Sequence, residues 1–182
     1  MGDMVNKTVV FLAVDGFEAR AFEALWQCFG WQKNAATRIA SFNADDQVKS
    51  VDGLVNTHSD MSFAEASEMT FDVLVVADGV TANAIMNDQA AMTAFMNAND
   101  HRAAIVSVGD GVKALIAAGI ASGRTIAAPS DLRDELMRAG ITPSDQPMAA
   151  SDNIFSASGE ADLRALCDVV SDYITGLEEE VA

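Results

Sequence analysis

The chain has 182 residues, of which 50% are apolar, and this composition excludes a chain too polar to bury a core. Its 27 acidic and 11 basic residues give a net charge of −16, which repels phosphate backbones and anionic lipid, so we expect neither a nucleic-acid nor a membrane partner. No apolar run approaches the roughly 20 residues of a membrane helix, and the N-terminus lacks the pattern of a signal peptide, so we expect a cytoplasmic protein.

Strand and helix patterns alternate along the first half of the chain. Apolar runs predict buried strands over residues 8–14, 37–42 and 71–77. After the first strand, apolar residues at spacings of three and four predict a helix that ends at Gly30. Asp52 and Gly53 stand between alternating residues, which indicates a β-hairpin over residues 48–58.

The second half continues the alternation. One helix is predicted over residues 82–97, with core positions at Ile85, Met86, Met92, Phe95 and Met96. A strand over residues 103–108, a short helix before Gly119, a strand over 124–128 and a helix before Gly140 follow in order. A turn-rich piece over residues 152–157 precedes a last helix, whose apolar face begins at Leu163 and which ends at Gly176.

This alternation predicts a mostly parallel sheet with helices on both faces. Ligands of such folds bind at the carboxyl ends of the strands. Three loops fall at that edge, namely residues 15–18, 77–79 and 109–111. The last of them follows a buried strand and begins a helix, a turn that in many α/β enzymes raises a nucleophile into the active site. The residue at its tip is Gly109, which has no side chain.

Four segments of the chain carry a resemblance to a known family. In chain order they read VVFLAVDGFEARAFE, FDVLVVADG, VSVGDGVKALIAAGIASGRTIA and DNIFSASG. They are similar to the first strand and acidic turn, the strand before a Pro-Gly-Gly turn, the elbow with its helix, and a late strand of the ThiJ/PfpI family, within the class I glutamine amidotransferase-like superfamily. The resemblance implies a flavodoxin-like three-layer α/β/α sandwich with a small β-hairpin, as a single domain over residues 1–182.

The resemblance also assigns roles to positions of the candidate site. The family usually reads Ala-Ile-Cys-His-Gly at the elbow, which places Gly109 at the cysteine position and Asp110 at the histidine position and keeps Gly111. In the segment FDVLVVADG, which is similar to the strand before the Pro-Gly-Gly turn, Gly79 is kept, whereas Ala77 and Asp78 replace Pro and Gly. Activities that depend on the elbow cysteine are therefore not carried over, while a homodimer is implied as for other members.

Glu18 holds the position of the glutamate that reaches the active site in the family. Two interpretations are open for Glu18. Its carboxylate either has a function, as a general acid or base or as a ligand-binding group, or it is a structural group bonded to loop amides. Asp110 is interpreted either as an acid favoured at a helix N-terminus or as a catalytic carboxylate. The predicted ligand-binding residues are Gly79, Gly109, Asp110, Gly111 and Asp78. The N–H groups of Gly79, Asp110 and Gly111 are candidates for binding a ligand oxygen, and Asp78 and Asp110 disfavour a charged anion, so a neutral polar ligand is predicted.

Three functions remain open. The sequence favours a non-catalytic member, a pseudoenzyme that binds a small polar molecule or a partner. The alternative is a hydratase, lyase or glyoxalase-like enzyme that uses Glu18 without a nucleophile, and the third is a structural role through self-association. We expect no cofactor and no metal, and neither His58 nor His101 occupies a motif position.

The two cysteines, Cys28 and Cys167, lie far apart and without metal-ligand spacing. Both sit among apolar residues of helical patterns, so the sequence predicts two small buried hydrophobic residues rather than a disulfide.

Overall fold

A seven-stranded sheet runs through the centre of the protein, whose computed structural model describes residues 3–181. The strands are β1 (Thr8–Leu12), β2 (Ala36–Ser41), β3 (Gln47–Lys49), β4 (Asn56–His58), β5 (Met61–Ser62), β6 (Val73–Val76), β7 (Ala104–Val108), β8 (Thr125–Ile126), β9 (Thr142–Pro143), β10 (Met148–Ser151) and β11 (Ile154–Ala157). The α-helices are α1 (Ala19–Gln27), α2 (Phe63–Glu68), α3 (Gly79–Ile85), α4 (Gln89–Asp100), α5 (Val112–Ala118), α6 (Arg133–Arg138) and α7 (Leu163–Val181).

The order of the strands in the central sheet is β10-β11-β7-β6-β1-β2-β5. All neighbours pair in parallel except β10 with β11, which form an antiparallel pair. Strands β3 and β4 form the predicted small hairpin beside the sheet. The chain continues from β1 to β2 on one side of β1, and it later returns to β6 on the other side. The strand order therefore reverses at β1, and such a switch point opens a crevice at the carboxyl edge of the sheet.

The core strands are apolar on both faces because helices cover both sides of the sheet. Strands β6 and β7 are buried along their whole length. One core cluster joins the sheet to α1 and α7, and it contains the aromatic rings of Phe11, Phe22, Trp26 and Phe29. The second cluster joins the opposite face to α2, α3, α4, α5 and α6. The expected flavodoxin-like three-layer α/β/α sandwich is therefore confirmed.

Several predicted element boundaries differ from the structure. The helix expected over residues 82–97 is two helices, because the Asp88 carboxylate accepts the N–H of Ala91 at 2.8 Å and begins α4 anew. Met86 and Met96 are then partly exposed rather than core residues. The last helix does not end at Gly176 but continues to Val181.

Two short elements escape the sequence patterns. A capping box, in which Ser62 and Glu65 satisfy each other's backbone N–H groups, begins α2. The piece over residues 152–157 is turn-rich in composition but is similar to a strand of the family, and it contains β11, which pairs with β7 and with β10, so the strand that the resemblance implies is confirmed. Within residues 3–181, no helix combines the length and the apolarity that a membrane span requires.

The prediction of unpaired cysteines is wrong. Cys28 and Cys167 form a disulfide, with their Cα atoms 6.6 Å apart and 139 residues between them in sequence. Both residues are buried, as predicted. Cys28 lies in a π-helical turn, Cys28–Gln32, that continues α1 and packs against α7, so the fold brings together two cysteines whose sequence spacing indicates nothing.

Candidate functional site

The elbow after β7 has the predicted backbone. Gly109 begins a single 3₁₀ turn, Gly109–Gly111, that leads into α5, and its φ of +57° lies in the left-handed region that favours glycine. A Cβ at Gly109 would meet no atom within 4 Å, so the direction in which a nucleophile would project is open space. The elbow therefore keeps the geometry of a nucleophile turn while it carries no reactive atom.

Gly111 lets the elbow pack closely against the neighbouring strand β6. It is buried, and a Cβ there would stand 2.5 Å from the carbonyl oxygen of Val76 at the end of β6. The start of α5 can approach β6 this closely only because residue 111 has no side chain. Gly111 thus packs against the sheet and does not border the cavity described below.

Asp78 joins the two neighbouring loops of the site. Its buried carboxylate accepts the N–H of Thr81 at 3.0 Å, which caps α3, and the N–H of Glu18 at 3.2 Å. The first contact begins α3, and the second holds the residue that precedes α1. The same oxygen therefore positions Glu18 relative to the turn at Gly79.

We expect Asp78→Ala to lower the free energy of unfolding by about 2 kcal/mol, because it removes the cap of α3 and leaves the amide of Glu18 without its partner. Chemical denaturation followed by circular dichroism measures the loss. Asp78→Asn is the matched control, since its side-chain oxygen can still accept a backbone N–H, and it should cost less than half as much. Equal losses for the two variants would contradict the capping role.

The β3–β4 hairpin reaches the site through the loop after β1. The N–H of Gly16 donates to the Lys49 carbonyl at 2.7 Å, and the N–H of Val51 donates to the Phe17 carbonyl at 2.9 Å. These bonds place Asp52, at the hairpin turn, beside the start of α1. The Ser50 hydroxyl and the Leu54 N–H donate to Asp52 and hold the pKa of its carboxyl below the ordinary value.

These loops surround a cavity of about 680 Å³ at the carboxyl edge of the sheet. Its wall is formed by the start of α1, the hairpin turn, the β6–α3 turn, the elbow and the loop before α7. The ionisable side chains on this wall are Glu18, Arg20, Asp52, Asp78, Asp110 and Glu160. With five carboxylates and one guanidinium, the wall is strongly negative.

Most of these charges already have partners. Asp110 accepts the Lys113 ammonium at 3.0 Å, and this hydrogen bond raises the pKa of Lys113. Arg20 and Glu160, both largely exposed, form an ion pair of 3.5 Å between α1 and the loop before α7. Within the part of the chain that the structure describes, the Glu18 carboxylate makes no hydrogen bond or ion pair, and it stands exposed on the cavity wall.

The structure brings together five of the six predicted site residues. Glu18, Asp78, Gly79, Gly109 and Asp110 all border the cavity. His58 and His101 do not border it. The Nδ1 atom of His101 instead lies 2.8 Å from the Asn97 carbonyl oxygen.

Sequence reasoning missed Arg20, Asp52 and Glu160. The sequence predicted Asp52 as a residue of the hairpin turn, but it did not predict that this turn lies beside the loop over residues 15–18. Glu160 follows β11, and the strand-end rule finds it once that segment is assigned as a strand beside β7. Among the side chains of residues 3–176, no group of three from His, Cys, Asp or Glu is arranged to hold a metal ion.

A family model described as the DJ-1/PfpI family matches residues 7–172. The chain belongs to the DJ-1/PfpI family. A comparison with curated proteins finds no match. The family assignment of this DJ-1/PfpI protein therefore rests on the family model.

Solved structures share the fold at low sequence identity. A ThiJ/PfpI domain protein from Brachyspira murdochii is 16% identical with a TM-score of 0.82, over 94% of this chain and 98% of its own. Drosophila melanogaster DJ-1beta is 17% identical with a TM-score of 0.80, over 94% and 92%. A two-domain protein from Anabaena variabilis contains DJ-1/ThiJ/PfpI-like and ferritin-like domains and is 18% identical with a TM-score of 0.86. The match covers 93% of this chain but only 48% of that protein, so this chain spans about half of its length.

Proposed function

We propose that this DJ-1/PfpI protein is a pseudoenzyme that binds a small polar molecule in the cavity at the strand ends. The observation that carries the proposal is Gly109, which occupies the tip of an intact elbow with open space where a nucleophile would stand. A nucleophile turn without a nucleophile retains a shaped cavity but cannot form a covalent intermediate.

No neighbouring group is a ready substitute for the missing thiol. The chain has two cysteines, and these are joined to each other in a disulfide away from the cavity wall. Asp110, at the position that is histidine in the family, is paired with Lys113 rather than oriented by a catalytic partner. Binding without covalent chemistry is the function that these residues support best.

The ligand class follows from the charges and the donors on the wall. Gly79 and Asp110 each lie at the start of a helical segment, where N–H groups have no partner inside the helix and can bind a ligand oxygen. The surrounding carboxylates oppose an anion. A neutral molecule with a carbonyl or hydroxyl group satisfies both conditions.

The alternative function is an enzyme without a nucleophile, a hydratase, lyase or glyoxalase-like protein in which Glu18 transfers a proton. The observation in its favour is the Glu18 carboxylate, which borders the cavity and has no partner among the residues that the structure describes. Such a carboxylate is free to act as a general base toward water or a substrate C–H.

Turnover assays distinguish the two functions. Wild-type protein is incubated with methylglyoxal, glyoxal and simple amides, beside the Glu18→Gln variant, which keeps the shape but cannot ionise. The pseudoenzyme proposal expects no turnover by either protein, together with a rise in the thermal midpoint on binding in a screen of neutral carbonyl and polyol compounds. Turnover that is lost in Glu18→Gln would instead establish the enzyme.

A thiol restored at the elbow should not be reactive. We expect the pKa of the cysteine in Gly109→Cys to lie at or above the value of about 8.5 for free cysteine. The carboxylates of the wall disfavour a thiolate, and the histidine that accompanies the thiol in the family is Asp110 here. The pH dependence of alkylation by iodoacetamide measures this pKa.

Gly159→Cys is the control for access to the cavity. Gly159 borders the same cavity, and a Cβ there meets no atom within 4 Å. If the Gly159→Cys thiol is alkylated readily while the Gly109→Cys thiol reacts only at high pH, the slow reaction is electrostatic. A Gly109→Cys thiol with a pKa near 6 would show that the site still activates a nucleophile, against the proposal.

Assembly and location are proposed on family grounds and on composition. We expect a homodimer, a single domain over residues 1–182 and a cytoplasmic location. Sedimentation velocity at micromolar concentration tests the first of these, and a monomer at all concentrations would exclude it.

A further inference from the structure

The disulfide connects α1 and α7, two helices whose N-terminal sides border the cavity. We call the exposed rim at Arg20 and Glu160 the mouth of the cavity. Cys28 follows the last residue of α1, whereas Glu18 and Arg20 stand at its beginning. Cys167 lies in the second turn of α7, and Glu160 stands in the loop just before that helix. Helices α1 and α7 pack against each other on one face of the sheet.

Besides apolar packing, three links hold α1 and the turn after it to the α7 segment, and one of them, the ion pair of Lys33 and Asp168, lies beside the disulfide. At the cavity mouth the link is the ion pair of Arg20 and Glu160, whose side chains are 82% and 52% exposed. An exposed pair of this kind contributes little to stability. At the far end the link is the covalent bond between Cys28 and Cys167. The covalent link is consequently the main restraint on how far the two helices can separate, beyond their apolar packing.

We propose that the Cys28–Cys167 disulfide is a reversible redox clamp that controls the mobility of the cavity mouth. With the bond intact, α1 and the start of α7 are restrained and the mouth is ordered. With the bond reduced, the first turn of α1 and the loop over residues 158–162 open more often. Ligand access to the cavity then depends on the redox state of a bond outside it.

An ion pair beside the disulfide, with Lys33 buried and Asp168 38% exposed, keeps the clamp reversible. The Lys33 ammonium lies 2.7 Å from an Asp168 carboxylate oxygen, and this contact lowers the pKa of Asp168. Lys33 follows the π-helical turn that contains Cys28, and its N–H donates to the Cys28 carbonyl at 3.1 Å. Asp168 is the neighbour of Cys167. This half-exposed pair is weaker than a covalent bond, so after reduction it keeps the two thiols close enough to rejoin without replacing the restraint that the disulfide supplied.

The redox step balances with ordinary thiol reagents. A dithiol such as dithiothreitol breaks the S–S bond, supplies two electrons and two protons to the cysteine sulfurs, and itself closes to a cyclic disulfide. Oxidised glutathione reverses the step through a mixed disulfide and leaves two glutathione thiols. Cys28 is 3% exposed and Cys167 is 0% exposed, so either reagent acts only after local opening, and the exchange is slow.

Hydrogen–deuterium exchange of the oxidised and reduced protein tests the clamp. Thiols are first counted in denaturant, and we expect none before reduction and two after it. Amide exchange over residues 18–22 and 158–162 is expected to become several-fold faster on reduction. Exchange in the turn over residues 86–88, between α3 and α4 on the opposite face of the sheet, serves as the internal control, because a turn also exchanges through local opening, and it should not change. Core amides that exchange only through global unfolding are left out of the comparison, since loss of the bond accelerates them through the lower stability.

The variant Cys28→Ala should exchange at the mouth like reduced wild type, and dithiothreitol should change it no further. Two thiols in untreated wild-type protein would overturn the proposal, as would equal exchange at the mouth in the two redox states. An equal acceleration in the turn over residues 86–88 and at the mouth would also overturn it, because the bond would then loosen the whole protein rather than the mouth. The reduced wild type supplies the answer even if the variant does not fold.

Discussion

Gly111→Ala is expected to lower the free energy of unfolding by about 3 kcal/mol, at the upper end of what one added methyl group costs in a packed core. The new Cβ would stand 2.5 Å from the Val76 carbonyl oxygen, and this neighbour is backbone, which no change of rotamer can move aside. The start of α5 must therefore shift away from β6. Urea denaturation followed by circular dichroism measures the change.

Gly109→Ala is the matched comparison, since it adds the same methyl group at the same elbow. At Gly109 the methyl group has free space, and the cost is only the strain of a φ of +57° in a residue with a Cβ. We expect about 1 kcal/mol for this strain. If Gly109→Ala costs as much as Gly111→Ala, the close approach of α5 to β6 is not what requires glycine at residue 111.

The central strands could be predicted from the sequence because they are buried on both faces. Runs such as those of β6 and β7 have few polar residues, and an unbroken apolar run of this length is typical of a parallel strand between two helical layers. The antiparallel strand β10 escaped prediction because three of its four residues are small and none is buried, so it has no apolar pattern of its own. Its position is fixed by pairing with β11.

The candidate site was predictable only in part, for a topological reason. Glu18, Gly79 and Gly109 each follow a core strand, so the strand-end rule brings them together without knowledge of the strand order. Arg20 and Glu160 meet across the mouth because β11 lies beside β7 in the sheet, and no local pattern encodes that pairing. The role of Asp78 in holding the Glu18 amide also requires three-dimensional coordinates.

The pairing of the two cysteines was also not predictable, because no local pattern shows that the end of α1 meets the start of α7. Removal of the Cys28–Cys167 bond is expected to lower the free energy of unfolding by about 4 kcal/mol. The bond closes a loop with a sequence separation of 139 residues, and a long closed loop restricts the unfolded chain more than a short one. Urea denaturation with and without dithiothreitol measures the effect, and the urea dependence should steepen on reduction because the unfolded chain expands.

The double variant Cys28→Ala/Cys167→Ala decides whether the bond itself is responsible. Loss of either cysteine already breaks the bond, so each single variant should lose nearly as much stability as the double variant. Dithiothreitol should destabilise the wild type and none of the variants. Two side chains that stabilise the protein independently give additive losses, whereas one shared bond can be removed only once. If the two single losses add up in the double variant, each cysteine therefore stabilises the core by its own packing and the bond is not responsible.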